Sequence, residues 1–163
     1  MRILAVDPGY DRIGLAILEK NTNTSPKEQL IYSDCLTTSS QQDFSERLKI
    51  IGKKVEKIIK EYKPTALAIE SLFFNNNQKT ALLVAEVKGA VKYIALSQKL
   101  DIFEYTPLQI KTAVTGYGRS TKQQITIMVK NLIEITKEIK LDDEYDAIAV
   151  GLTYFAVNPT NNF

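Results

Sequence analysis

The sequence predicts an α/β fold, a five-stranded mixed sheet flanked by helices on both faces. Two short, continuous apolar runs, Ile3–Val6 and Ala66–Ile69, have the character of central strands buried on both sides. Three strand-like segments precede the first helical one, and helix and strand then alternate. That order implies a meander followed by βα crossovers. At 163 residues the chain suits one domain with a core that needs no staples.

The first strand, Ile3-Leu4-Ala5-Val6, stops at Asp7-Pro8-Gly9, a turn signal. Ile13–Leu18 reads as the second strand and Leu30–Leu36 as the third, with a polar hairpin loop from Asn21 to Pro26 between them. Phe44, Leu48, Ile51, Val55, Ile58, Ile59 and Tyr62 recur at steps of three and four, which predicts a long amphipathic helix. Lys63-Pro64 ends it. Ala66–Ile69 is the fourth strand and closes at Glu70. After the polar Asn75-Asn76-Asn77 loop, a helix is predicted from about residue 79 to 99, apolar almost all round with Gly89 in its middle. Such a helix is either sandwiched inside the fold or shared with a partner chain. Ile102–Tyr105 is the fifth strand, and two or three helical segments finish the chain, the first two separated by Gly116-Tyr117-Gly118. In the last helix the apolar stripe is predicted to be Tyr145, Ile148, Ala149, Leu152 and Ala156, with Asp146 at its flank. The sequence has no internal repeat, and we expect one domain over residues 1–158 with a short tail over 159–163.

Composition narrows the chemistry. Lys and Arg total 21 against 19 Asp and Glu, so a polyanionic partner must meet a local basic patch rather than bulk charge. There is no histidine, which removes Ser-His-Asp and Cys-His nucleophiles and His-ligated zinc. Cys35 is the only cysteine, so no disulfide forms within the chain. Catalysis is left to carboxylates, lysines, hydroxyls or a metal held by oxygen. The first apolar run is too short for a signal peptide, and the uncharged stretch from Ala147 to Phe163 falls short of the ~20 apolar residues of a membrane span. We expect a cytoplasmic protein.

Asp7 and Glu70 are remote in sequence, yet each ends a predicted central strand, where open α/β sheets bind their ligands. Asp142-Asp143-Glu144-Tyr145-Asp146 opens the last helix, and residues three or four apart share a helical face, so Asp146 can pair with Asp142 or Asp143. Clustered carboxylates repel one another unless a cation lies between them. Hard oxygen ligands suit Mg²⁺ or Mn²⁺, and two such ions ~3.5–4 Å apart can clamp both oxygens of a phosphodiester displacement. Singly, each acid has a plainer explanation: a turn opener, a strand-end surface charge, an ordinary acidic helix start.

Six segments in order carry a resemblance: Ile3-Leu-Ala-Val-Asp7-Pro-Gly9, Ala68-Ile-Glu70-Ser-Leu-Phe73, Val87-Lys-Gly89, Phe103-Glu-Tyr105-Thr-Pro-Leu-Gln-Ile-Lys111, Gly116-Tyr-Gly118 and Asp143-Glu-Tyr-Asp146-Ala147-Ile-Ala149. Over nearly its whole length the chain resembles the RuvC family of Holliday junction resolvases. The resemblance implies an RNase H-like fold and a homodimer that cuts four-way DNA junctions with paired nicks, using Mg²⁺, for which Mn²⁺ can substitute. It also implies a junction-binding and branch-migration complex of the RuvA and RuvB type as partner. By the same resemblance Asp7, Glu70, Asp143 and Asp146 are the metal-binding and catalytic acids. Lys111 and Lys122 match basic positions near the scissile phosphate, with Lys111 counted among the catalytic residues, and Phe73 matches a base-stacking position. The Gly116–Thr121 loop, with Arg119, is a candidate phosphate holder. Where the family has small residues between the last two acids, this chain has Glu144-Tyr145, which leaves open whether Asp142 or Asp143 is the third acid. Asp11-Arg12-Ile13-Gly14-Leu15-Ala16 also resembles the start of the YqgF group of RNase H-fold nucleases. The rival readings are therefore a nuclease acting on structured RNA and a module that binds junctions without cutting.

Overall fold

Strand β1 (Arg2–Asp7) pairs antiparallel with β2 (Arg12–Lys20), which pairs antiparallel with β3 (Glu28–Thr37). On its other side β1 pairs parallel with β4 (Ala66–Glu70), and β4 with β5 (Asp101–Tyr105), so the order across the sheet is β3-β2-β1-β4-β5. The helices are α1 (Phe44–Tyr62), α2 (Gln78–Ser97), α3 (Pro107–Thr115), α4 (Lys122–Leu132) and α5 (Asp142–Val157). This computed structural model describes residues 1–21, 23, 28–71 and 78–158. The Asn75-Asn76-Asn77 loop, Phe73 and the 159–163 tail lie outside the described residues.

Alternation of side chains along the strands builds two cores. Leu4, Val6, Ile13, Leu15, Ile17, Leu67 and Ile69 face α1 and α2, where Ile51, Val55, Ile58, Val87, Val91 and Ala95 meet them. The opposite face is smaller: Ala5, Ala16, Ala66 and Ala68, with Ile3 and Leu18, pack against α3, α4 and α5. The alanines let α5 lie close across β1 and β2. At Gly14 a Cβ would stand 2.0 Å from the Asp143 carbonyl oxygen, so the first turn of α5 rests directly on the β2 backbone.

One helix differs from its sequence reading, and a second leaves a face uncovered. No narrow apolar stripe exists on α5: every residue from Ala147 to Phe155 is buried, because sheet, α3 and α4 surround it, while Ala156, expected to be inward, is exposed. In α2, the helix apolar almost all round, Val87, Val91 and Ala95 are buried on the sheet side and Leu82, Tyr93 and Leu96 face outward. Burying each such large side chain is worth roughly 1.5–3 kcal/mol, and on α2 that gain is left unrealised within the single chain.

Candidate active site

Strand register brings the first two acids together. Val6 pairs with Ile69, so the next residues, Asp7 and Glu70, end adjacent parallel strands side by side. The two-residue period places Asp7 on the face of Ile3 and Ala5, and Glu70 on the face of Ala66 and Ala68. Both carboxylates therefore leave the sheet toward α5, whose first turns carry Asp142, Asp143 and Asp146.

The electrostatics record that convergence. Burial pushes the Asp7 carboxyl well above its ordinary value of 3.8, and the charges of Glu70, Asp146 and Asp143 push it the same way, with Lys122 opposing them. Burial also raises Glu70, as does Asp146; a hydrogen bond from Asp7 and the charges of Lys111 and Lys122 pull it back. Asp146 is raised by burial against the pull of Lys122. On α4, the Lys122 ammonium lies 2.7 Å from Asp142 Oδ2 and 2.8 Å from Asp146 Oδ2, and these partners raise its own pKa despite desolvation.

Asp142 and Asp143 part company. Asp142 is half exposed and held in its charged form by Lys122. Asp143 is largely buried against β2, where Arg12 Nε approaches its Oδ2 at 3.4 Å as an ion pair without a hydrogen bond. That buried oxygen is left without a hydrogen-bond partner. Glu144, between the acids, is 5% exposed and ion-paired with Lys137, which also donates to the Ser33 carbonyl at 2.6 Å. The additional acid thus anchors the segment before α5 to β3. Burial, then the charge of Asp143, push the Cys35 thiol up to about 12, which disfavours the nucleophilic thiolate.

As arranged, no group of three or more acids among the described residues is set to hold a metal ion. Lys122 and Arg12 supply positive charge there instead. The donors nevertheless fit a hard divalent cation: all are carboxylate oxygens, burial and their mutual repulsion push Asp7 and Glu70 toward protonation, and Asp143 Oδ2 is buried without a hydrogen bond. Beside them a cleft of about 250 Å³ is lined by Glu70, Pro107, Ile110, Lys111, Lys122, Ile125, Asp146 and Ala149. Lys111 and Lys122 thus share one cleft with two of the four acids, and Arg119 is exposed on the loop between α3 and α4.

Sequence reasoning passed over Arg12 and Arg47. Arg47 of α1 is 7% exposed; it donates to Thr38 Oγ1 and to the Tyr10 carbonyl, each at 2.9 Å, pairs with Asp11 and lies over the Tyr10 ring. Thr38 ties the same turn through the Tyr10 carbonyl at 2.7 Å. The turn between Asp7 and Arg12 is thereby fixed from α1. The signal was present: Arg47 falls three residues after Phe44 and four before Ile51, on the apolar stripe, where a charge needs a partner.

The model of one protein family, described as crossover junction endodeoxyribonuclease RuvC, matches residues 3–154. The chain is 44% identical over 154 residues to the crossover junction endodeoxyribonuclease RuvC of Alkaliphilus oremlandii, covering 94% of this chain and 92% of that protein. It is 41% identical to that of Finegoldia magna over the same shares. Among solved structures, Thermus thermophilus RuvC superposes with a TM-score of 0.85 at 27% identity. The complex of T. thermophilus RuvC with a Holliday junction substrate superposes with a TM-score of 0.87; both cover 96% of this chain and 94% of the other. The yeast mitochondrial resolvase Ydc2, at 14% identity and a TM-score of 0.65, shares the fold.

Proposed function

The chain belongs to the RuvC family of crossover junction endodeoxyribonucleases, and from that premise we propose how this RNase H-like nuclease resolves Holliday junctions. The observation that carries the reading is the register that sets Asp7 beside Glu70, facing the helix that bears Asp143 and Asp146. The matched family and the junction complex favour neither the RNA-acting nor the binding-only alternative.

Asp7, Glu70, Asp143 and Asp146 would hold divalent cations, two per site, with Mg²⁺ the ion and Mn²⁺ a substitute. Bound there, such ions polarise the phosphodiester and favour attack by water in line with the leaving oxygen. Asp143 rather than Asp142 is the third acid, because it is the one buried beside Asp7. Cations held there would offset the burial and the neighbouring carboxylates that push Asp7 and Glu70 toward protonation. Lys111 and Lys122 receive the phosphate from the cleft side, and Lys122 exchanges carboxylate for phosphate oxygens as the backbone enters. Arg119 meets the neighbouring backbone, and Phe73 stacks on an unpaired base. A junction has two-fold symmetry, and a C₂ dimer presents two such sites; the outward face of α2 supports that pairing. The enzyme works in the cytoplasm with a junction-binding and branch-migration complex of the RuvA and RuvB type. Among the described residues, no helix is long and apolar enough to cross a membrane.

The deciding experiment is cleavage of a mobile four-way junction in Mg²⁺ and, separately, in Mn²⁺. Asp7→Asn should lower the rate at least about 10³-fold with junction affinity changed by less than about threefold. Asp143→Asn should behave likewise and Asp142→Asn should not. A wild-type protein that binds the junction but cuts with neither ion would defeat the proposal.

A further inference from the structure

The loop between α3 and α4 is tied from within. The Thr115 hydroxyl donates to the Lys111 carbonyl at 2.8 Å and accepts from the Tyr117 N–H at 3.1 Å. Ser120, which is buried, donates its hydroxyl to the Tyr117 carbonyl at 2.7 Å and its N–H to the same oxygen at 3.1 Å. A capping box of Thr121 and Gln124 then starts α4. Both sides of the Tyr117 backbone are therefore held, yet its side chain is 59% exposed. Among the described residues its ring meets no other ring and its hydroxyl makes no hydrogen bond. Leu108, also exposed, lies against the loop: a Cβ at Gly118 would stand 2.4 Å from its Cδ1. Basic residues flank this apolar pair, with Lys111 on the helix before, Arg119 two residues on and Lys122 at the start of the helix after.

We propose that Tyr117 is a stacking platform for an unpaired base of the junction, carried on a separate segment from Phe73. Two apolar side chains set among cations match the chemistry of single-stranded nucleic acid, whose bases stack on aromatic rings while its phosphates meet basic groups. Lys111 and Lys122, on the helices either side of the loop, line the cleft beside the carboxylates, which supplies the phosphate-binding half of that match. Because the backbone is already ordered, stacking immobilises only the ring, so little conformational entropy opposes it. The inference rests on the reading of that cleft as the path of the DNA backbone.

The chain contains no tryptophan, so Tyr117→Trp introduces a single reporter. In an Asp7→Asn background, which keeps the junction uncut, titration with four-way junction should quench the tryptophan emission and shield it from acrylamide. Emission unchanged while a gel shift shows the junction bound would overturn the proposal. In the same background Tyr117→Ala should weaken junction binding about 5- to 100-fold and Tyr117→Phe less than about twofold. If Phe costs as much as Ala, the phenol hydroxyl is the contact and stacking is wrong. Lys111→Ala measured alongside separates the two levels. Weakening by Lys111→Ala but not by Tyr117→Ala removes the platform and leaves the cleft; weakening by neither removes both.

Discussion

Burial and three neighbouring carboxylates all push Asp7 toward its protonated form. A carboxyl whose folded pKa lies above its unfolded value of 3.8 binds its proton more tightly in the native state. Its contribution to stability is therefore favourable at low pH, declines as pH rises through 3.8 toward the raised value, and is a full penalty above it. Glu70 and Asp146 act with the same sign. In chelator at pH 7.5, Asp7→Asn should raise the melting temperature by about 2–8 °C, and the gain should vanish near pH 3.8. On the proposed metal site it should also shrink in Mn²⁺, because an amide would be the weaker ligand at that position. Scanning fluorimetry across pH checks this; an equal gain at every pH would remove the charge of Asp7 as its source. The residue types were legible in the sequence because a carboxylate ending a buried strand is conspicuous. Arg12 was not, because its partner Asp143 comes from a distant segment; Arg47 on the apolar stripe signalled only that it needed a partner, and packing supplied Thr38, Tyr10 and Asp11.

A helix that carries two acids must be set against the sheet to within a fraction of an ångström. For α5 the alanine-rich face of β1, β2 and β4 and the bare backbone at Gly14 perform that task. Gly14→Ala would drive a methyl group into the Asp143 carbonyl, 2.0 Å away, and into the Ala147 side chain at 3.2 Å. Overpacking of this kind costs about 1–3 kcal/mol. We expect that loss in urea denaturation, together with at least a tenfold fall in junction cutting, because Asp143 moves with the helix. Stability lost without activity would mean that α5 shifts as a body and keeps its acids in place. The succession of strands and helices along the chain followed from apolar runs and the 3.6-residue period, which are properties of the chain itself. The stripe assigned to α5 did not survive, because a helix enclosed by sheet and two other helices has no solvent face for a stripe to oppose.

At the scale of the whole molecule, the outward side of α2 is an apolar face left unburied. Leu82, Tyr93 and Leu96 project from the side of α2 opposite Val87 and Val91. Leu82, Gly89 and Leu96 recur at intervals of seven, the spacing at which helices pair along a seam. Tyr93→Glu should weaken self-association at least about 100-fold, because it buries an unpaired charge in an apolar interface. Sedimentation equilibrium would show monomers at concentrations where the parent pairs, and junction cutting should change from paired to single nicks. A variant that remains dimeric would place the interface elsewhere. Periodicity alone predicted that α2 must be covered, by the fold or by a partner, and in the structure the fold covers only the side of Val87, Val91 and Ala95.

Residue order by itself determined the five strands and their helices, the exclusion of histidine and disulfide chemistry, and the acids at strand ends. Those properties depend on neighbours within a few positions along the chain. Only the tertiary structure buried most of Asp143 while leaving Asp142 half exposed, buried Glu144 against Lys137, placed Lys122 between two carboxylates and locked the Asp7 turn with Arg47. Each of those outcomes depends on which surfaces packing removes from water, and solvation, more than residue type, sets the energy of a charge.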